Sequence, residues 1–263
     1  MELSIFASSS SGNCALLTAE ETNLLIDAGI SFSKIKAAME QVHRSPEDLD
    51  GVLITHEHSD HTKGVKMLLK RAGVTVYAPP LVAEHLREQL PEYGEQIETI
   101  DLQEPFALGD VSVTAFPTPH DVPQSAGYRV ETAEACFCLC TDLGHVTDEV
   151  LDDLLGADLA LIESNHDVEM VKNGPYPWLL KQRILSDYGH LSNDTCARLA
   201  VTLAEHGTRQ LVLGHLSKEN NTPRRALETV SQALNRAGYE RMFLQVAPVE
   251  GLLRVPVKGK VVC

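Results

Sequence analysis

The sequence predicts an α/β fold, an αβ/βα sandwich, and three observations carry that reading. Short apolar runs that read as buried strands alternate with segments of helical spacing. Residues 97–140 form a strand-rich middle whose turns carry signals such as Gly109-Asp110. Chemically active side chains fall just past strand ends, and such positions converge at one sheet edge when two β-sheets flanked by helices build a shared site. At 263 residues, with 43% hydrophobic residues, the chain has ample material for a core, as one αβ domain or two small ones.

Residues 1–6 alternate weakly and read as the first strand. The stretch Ala7-Ser8-Ser9-Ser10-Ser11-Gly12-Asn13 follows; it reads as N–H groups and hydroxyls facing an anion, or equally as a polar β-turn. Residues 14–18 and 23–27 form a hairpin turning at Glu20-Glu21. Residues 31–43 have amphipathic helical spacing with Ser31 or Ser33 as cap, and Ser45-Pro46-Glu47-Asp48 opens a short helical turn. The apolar strand Gly51-Val52-Leu53-Ile54 precedes Thr55-His56-Glu57-His58-Ser59-Asp60-His61, and residues 62–71 return to helical spacing. Residues 74–77 are a strand stopped by Pro79-Pro80, and 81–90 a helix.

Strands over 97–102, 111–116, 127–131 and 135–140 come next, then a helix over 147–155 and the very apolar run 158–163. Residues 178–187 read as helix, 209–213 as strand, and Arg224-Arg225 begins a further helix. Ser192-Asn193-Asp194-Thr195 is a strong N-cap sequence for a helix running to about residue 205. His43, His85 and His206 read as ordinary surface or packing residues on helices.

The formal net charge of −15 argues against indiscriminate nucleic-acid binding by the whole surface, while leaving room for a local basic groove. Three of six cysteines, Cys136, Cys138 and Cys140, alternate with Phe137 and Leu139, so they share one side of a strand. They read as small core hydrophobes in preference to a thiolate cluster near Asp142. No signal-peptide pattern and no long apolar run is visible, and a cytoplasmic protein with reduced thiols is expected.

The chemistry concentrates in residues 56–61. His56 and His58, two apart on an extended segment, fall on the same side and converge on one point. Asp60 and His61, at or just before a helix start, turn toward a second point nearby. Imidazole and carboxylate suit divalent ions, and two such ions about 3.5–4 Å apart can activate a water and hold both the attacked and leaving oxygens. A strand end that collects histidines for solubility is the bland alternative, and it leaves the strand-loop-helix setting unexplained.

H-x-H-x-D-H in that setting resembles the metallo-β-lactamase superfamily. The resemblance implies a later His, then an Asp, then a last His, and the matching positions are His120, Asp142 and His215. It implies one ion on His56, His58 and His120, another on Asp60, His61 and His215, Asp142 bridging, and Asp27 orienting a ligand from behind. It implies a four-layer αβ/βα sandwich over one domain, residues 1–263. Gly189-His190-Leu191-Ser192 recurs as Gly214-His215-Leu216-Ser217, so two histidines compete for the last position. The strand ahead of His215 favours it, and leaves His190 beside a helix N-terminus, a natural phosphate seat.

Glu163-Ser164-Asn165-His166-Asp167, Gly174-Pro175-Tyr176-Pro177, Ser10-Ser11-Gly12-Asn13 and Thr141-Asp142-Leu143-Gly144-His145 resemble the YycJ/WalJ-type branch of that superfamily along nearly the whole chain. The branch implies a phosphodiesterase acting as a 5′-to-3′ exonuclease, with DNA as partner and no membrane; the oligomeric state stays open. Asp60 or Asp142 would then steer a water proton, and His190 or His166 would protonate the leaving group. Ser11, Asn13, His166, His190 and Asn193 are the expected substrate contacts. Lys172, Lys181, Arg183, Lys218, Arg224 and Arg225 suit phosphates or, individually, are solvated helix faces. Tyr176 and the lone Trp178 offer stacking surfaces, with buried packing the expectation for Trp178. Two divalent ions are implied: manganese by the branch, zinc by the superfamily at large, with iron also accepted by such ligands.

A thioester hydrolase of the glyoxalase II kind would share every metal ligand, and a small-molecule phosphodiesterase is a further alternative. A lactamase needs an acylamide pocket that the sequence does not display. Relatives of the ribonuclease J type need a large inserted domain, for which there is no room between Asp142 and His215. A metal-binding scaffold without catalysis would be marked by a lost ligand, and none is missing.

Overall fold

The computed structural model describes residues 1–259. The first sheet is built from β1 (Glu2–Ser9), β2 (Gly12–Ala19), β3 (Thr22–Ile26), β4 (Gly51–Leu53), β5 (Val76–Ala78) and β6 (Ile97–Thr99). The second uses β7 (Phe106–Leu108), β8 (Val111–Pro117), β9 (Ala126–Glu131), β10 (Cys136–Cys140), β11 (Leu159–Glu163), β12 (Gln210–Gly214) and β13 (Phe243–Val246). The last strand, β14 (Leu253–Pro256), crosses back to the first sheet and closes its edge beside β1. The orders are β14-β1-β2-β3-β4-β5-β6 and β13-β12-β11-β10-β9-β8-β7.

Helices α1 (Phe32–Gln41), α2 (Ser59–Thr62), α3 (Val65–Ala72) and α4 (Pro80–Gln89) belong to the first half. Helices α5 (Asp148–Leu154), α6 (Val168–Asn173), α7 (Trp178–Ile184), α8 (Asn193–Glu205) and α9 (Pro223–Arg236) belong to the second. No described helix is long and apolar enough to cross a membrane.

Alternation along the strands decides the layers. Leu24 and Ile26 of β3 face inward with Leu3, Ile5, Tyr128, Phe137, Leu139 and Leu161, forming the core between the two sheets. Leu25, Val52 and Val76 face outward onto Ile35 and Met39 of α1, Leu68 of α3 and Val82 of α4. On the far side Cys136, Cys138 and Cys140 share the outer face with Leu211 and Leu213, under Val150 of α5, Leu199 of α8 and Val230 of α9. The result is the expected helix, sheet, sheet, helix stack. Both faces of the central strands are buried, so their sequences read as continuous apolar runs. Each large side chain so buried contributes about 1.5–3 kcal/mol.

The three cysteines are therefore core residues on one strand face. Burial holds the Cys140 thiol well above its usual range, which removes the thiolate reading near Asp142. The sixth cysteine, Cys263, lies outside the described residues. Other boundaries moved slightly. The strand before the histidines stops at Leu53, so His56 and His58 stand in the loop beyond it. The helix expected over 62–71 is split into α2 and α3 at Gly64, whose N–H donates to the Ala28 carbonyl at 2.6 Å.

Candidate metal centre

Strand direction brings the site together. β3 and β4 run parallel, as do β10, β11 and β12, so their C-terminal ends share one edge of the sandwich. Past β3 comes Asp27, past β4 the loop carrying His56 and His58, and past β8 the His120 segment. β10 is followed by Asp142 and β12 by His215, while Glu163 is the last residue of β11. Asp27, Asp142 and His215 hold left-handed φ angles of 57°, 56° and 52°. That conformation costs a non-glycine residue on the order of 1–2 kcal/mol and turns the chain abruptly at the strand end. Gly29 sits where any Cβ would meet the Asp60 carbonyl oxygen at 1.6 Å, so glycine there lets α2 dock against the loop after β3.

The side chains gather in overlapping groups. His56, His58 and His120 bring one donor atom each within 4.8 Å of one another, and Asp60, His61 and His215 do the same beside them. The Nε2 of His56 lies 3.0 Å from the Nδ1 of His58. Asp142 stands between the groups: its Oδ1 is 3.7 Å from His120 Nε2, and its Oδ2 is 3.3 Å from His61 Nε2 and 2.8 Å from His215 Nδ1. The last pair is close but not aligned as a hydrogen bond. Among the described residues, His120 Nε2, Asp142 Oδ2 and His215 Nδ1 are buried polar atoms with no hydrogen-bond partner. Orphaned donor atoms of this chemistry, aimed at common points, fit divalent cations.

Charge around the groups is strongly biased. Burial and the neighbouring His61 hold His56 well below its usual range, in the neutral form that offers a lone pair. Burial opposes charge on His61, but Asp27 and Asp142 outweigh it and raise that imidazole well above the usual range. A cation seated there would displace a proton. Burial would also raise Asp142, yet His215 and His61 outweigh it and keep the carboxyl well below the usual carboxylate range.

A ring of holders surrounds the donors. Asp27 Oδ2 lies 2.7 Å from His61 Nδ1, leaving Nε2 for the pocket. The Thr55 hydroxyl is 3.0 Å from both Asp27 oxygens and from His56 Nδ1, and 3.2 Å from His61 Nδ1. His120 Nδ1 is 3.2 Å from the Gly189 carbonyl. Glu163, wholly buried, accepts from the Leu143 and Leu191 N–H groups and approaches His190 Nδ1 at 2.9 Å. Burial disfavours charge on His190, but Glu163 outweighs it and pushes the imidazole up to about 9. Thr55 and Glu163 were not assigned a role from sequence. The signal in hand was a carboxylate ending an otherwise apolar strand.

A cavity of about 500 Å³ opens over the donors, lined among others by Ser10, Ser11, Tyr176, Arg183, His190 and Lys218. Ser11 is exposed at its mouth. Asn13 is buried, its amide 2.9 Å from His61 Nε2 and 3.4 Å from Asp60 Oδ2, so it braces those residues. Asn193 is buried behind the wall, bonded to Ser164 and Asn221. His166 is buried beside an adjoining cavity, and burial pushes its imidazole down to about 4, which favours the neutral form near pH 7. Arg183 pairs with Asp121 at the pocket, whereas Arg224 and Arg225 pair with Glu228 and Asp167 along a separate groove. Trp178 is not buried as expected: α7 turns Leu180 and Ile184 to the pocket, and Trp178 to water.

The profile of a family described as Beta-lactamase superfamily domain matches residues 22–216, a span that holds Asp27, His215 and every donor between them. The Exodeoxyribonuclease WalJ of Streptococcus pneumoniae serotype 2 is 39% identical over 239 residues, covering 89% of this chain and 88% of that protein. The Exodeoxyribonuclease YycJ of Bacillus anthracis is 36% identical over 242 residues, covering 91% of each. In three dimensions the Zn(2+)-bound PqqB of Methylobacterium extorquens matches 96% of this chain and 99% of that one, with a TM-score of 0.70 at 19% identity. At that identity the likeness is one of fold.

Proposed function

We infer the function from one premise: the chain belongs to the beta-lactamase superfamily and is a hydrolase of the metallo-β-lactamase fold. That fold implies divalent metal, and the histidine and aspartate groups described above could hold it. The chain is proposed to cleave phosphodiesters in nucleic acid, as a 5′-to-3′ exonuclease on DNA. One observation carries this reading, the 39% identity across 239 residues to a protein named exodeoxyribonuclease. The pocket agrees with it, since serine hydroxyls, Arg183 and Lys218 rim a floor of imidazoles and carboxylates, a lining suited to a phosphate chain.

His56, His58 and His120 would hold one ion and Asp60, His61 and His215 the other, with Asp142 shared and Asp27 fixing His61. When bound, such a pair supplies Lewis acidity that activates water and offsets charge on the entering and leaving oxygens. Manganese and zinc both suit this mixed set, as does iron, and the branch resemblance favours manganese. The remaining steps belong to the chain's own side chains. Asp60 or Asp142 accepts the proton of the attacking water. Glu163 occupies Nδ1 of His190, so Nε2 is the nitrogen that donates to the leaving oxygen. Ser11 contacts the phosphate chain at the rim.

The test is degradation of end-labelled single- and double-stranded DNA and RNA with added manganese or zinc, beside His58→Ala. The expected result is DNA shortened from its 5′ end by the wild type and left intact by the variant. Equal residual degradation by both proteins, or hydrolysis confined to an acyl-glutathione, overturns the reading.

A further inference from the structure

Seven large hydrophobic side chains are conspicuously exposed among the described residues, and four fall between 178 and 188. They are Trp178 at 69%, Leu179 at 78%, Leu185 at 40% and Tyr188 at 60%. The concentration matters because the same segment lines the pocket through Tyr176, Leu180, Arg183 and Ile184. At helical spacing Trp178, Lys181 and Leu185 share the face opposite Leu180 and Ile184. One short helix thus has one side in the pocket and an aromatic side in water, flanked by half-buried Lys181, whose ammonium donates to the Lys172 carbonyl at 2.8 Å. Residues 170–186 contain Lys172, Lys181 and Arg183 and no carboxylate, in a chain with 37 acidic residues against 22 basic ones.

We propose that the outer face of α7 is a platform for an unpaired nucleic-acid strand leaving the metal pocket, with Trp178 stacking a base and Lys181 meeting its phosphate. The proposal rests on the nuclease reading above. A helix with side chains is about 10–12 Å across, so the stacked base belongs to a nucleotide displaced from the one being cut. An unpaired strand offers base faces to an aromatic ring, whereas a duplex keeps them inside its own stack. A second copy of the chain is the weaker occupant. A two-fold contact through this face would bring the Lys181 ammonium groups of both chains into one interface, with no carboxylate from residues 170–186 to offset them.

Trp178 is the chain's single tryptophan, so its emission reports on this face alone. The full metal-loaded chain is titrated with a cleavage-resistant phosphorothioate oligothymidylate, and with a blunt duplex of the same backbone. Anisotropy of a labelled strand is read in parallel. The single strand should quench the emission saturably and the duplex much less. Trp178→Ala should weaken strand binding about ten-fold, and Trp178→Phe should restore most of it. Equal quenching by the duplex overturns the preference for an unpaired strand. Strand binding without any change in emission overturns the platform and leaves the nuclease reading standing. Absence of both signals together with intact DNA brings down the nuclease reading itself. Emission that shifts with protein concentration alone assigns the face to a second copy and overturns the proposal.

Discussion

The two halves of the sandwich reach the metal centre by different routes. The first sheet delivers His56, His58, Asp60 and His61 within a single loop and the short α2. The second delivers His120, Asp142 and His215 one at a time, each past its own strand. In the first half the bracing comes from side chains, with Thr55 and Asp27 packed behind the imidazoles and Asn13 beside them at His61 Nε2. In the second it comes from main chain, one serine hydroxyl and one carboxylate. The Gly189 carbonyl faces His120, the Ser8 hydroxyl accepts from the His215 N–H, and Glu163 ties the Leu143 and Leu191 N–H groups together. Crowded ligands need lateral support to stay apart, whereas dispersed ones take their positions from the strands beneath them.

The contrast breaks first at Asp142, which touches both groups. Asp142→Ala should abolish cleavage and lower bound metal from a pair to at most a single ion, read by elemental analysis. Retention of a full pair with unaltered cleavage would mean that the two groups act separately.

Paired substitutions on either side sharpen it. Glu163→Gln should cut kcat about 100-fold or more while metal retention stays close to wild type, because its carboxylate acts on His190. Asp27→Asn should instead weaken metal retention by about 10- to 100-fold, read by competition with a chelator. The opposite pattern would exchange the roles assigned to the two carboxylates.

The smallest effect is expected where the halves are joined. The Tyr128 hydroxyl of β9 donates to the Ile54 carbonyl at 2.7 Å, across the sandwich at the root of the histidine loop. Tyr128→Phe leaves that buried carbonyl unpaired, at a cost of about 1–3 kcal/mol in urea unfolding. Metal loss without loss of stability would show that this bond serves the centre directly.

Legibility followed the same division. His56, His58, Asp60 and His61 stood out because four donors fall within six residues behind an apolar run. His120, Asp142 and His215 stand singly in the sequence, and apart from the strand ahead of His215 it is resemblance that ties them to the others. The Cys136, Cys138 and Cys140 alternation was readable because strand periodicity is strict. Glu163 was hidden because its partners lie 20 or more residues away in sequence, at Leu143, His190 and Leu191. Trp178 was misread because residue type predicts burial in one direction only: large apolar side chains also stand in water where a surface has work for them.

The left-handed backbone at Asp27, Asp142 and His215 has a bearing on portability. An engineer who copied the seven donors and Asp27 onto an idealised scaffold, relaxed after every strand, would find them splayed apart. Three reversals of the main chain would have to travel with the side chains, along with enough packed sandwich to keep those reversals from springing back.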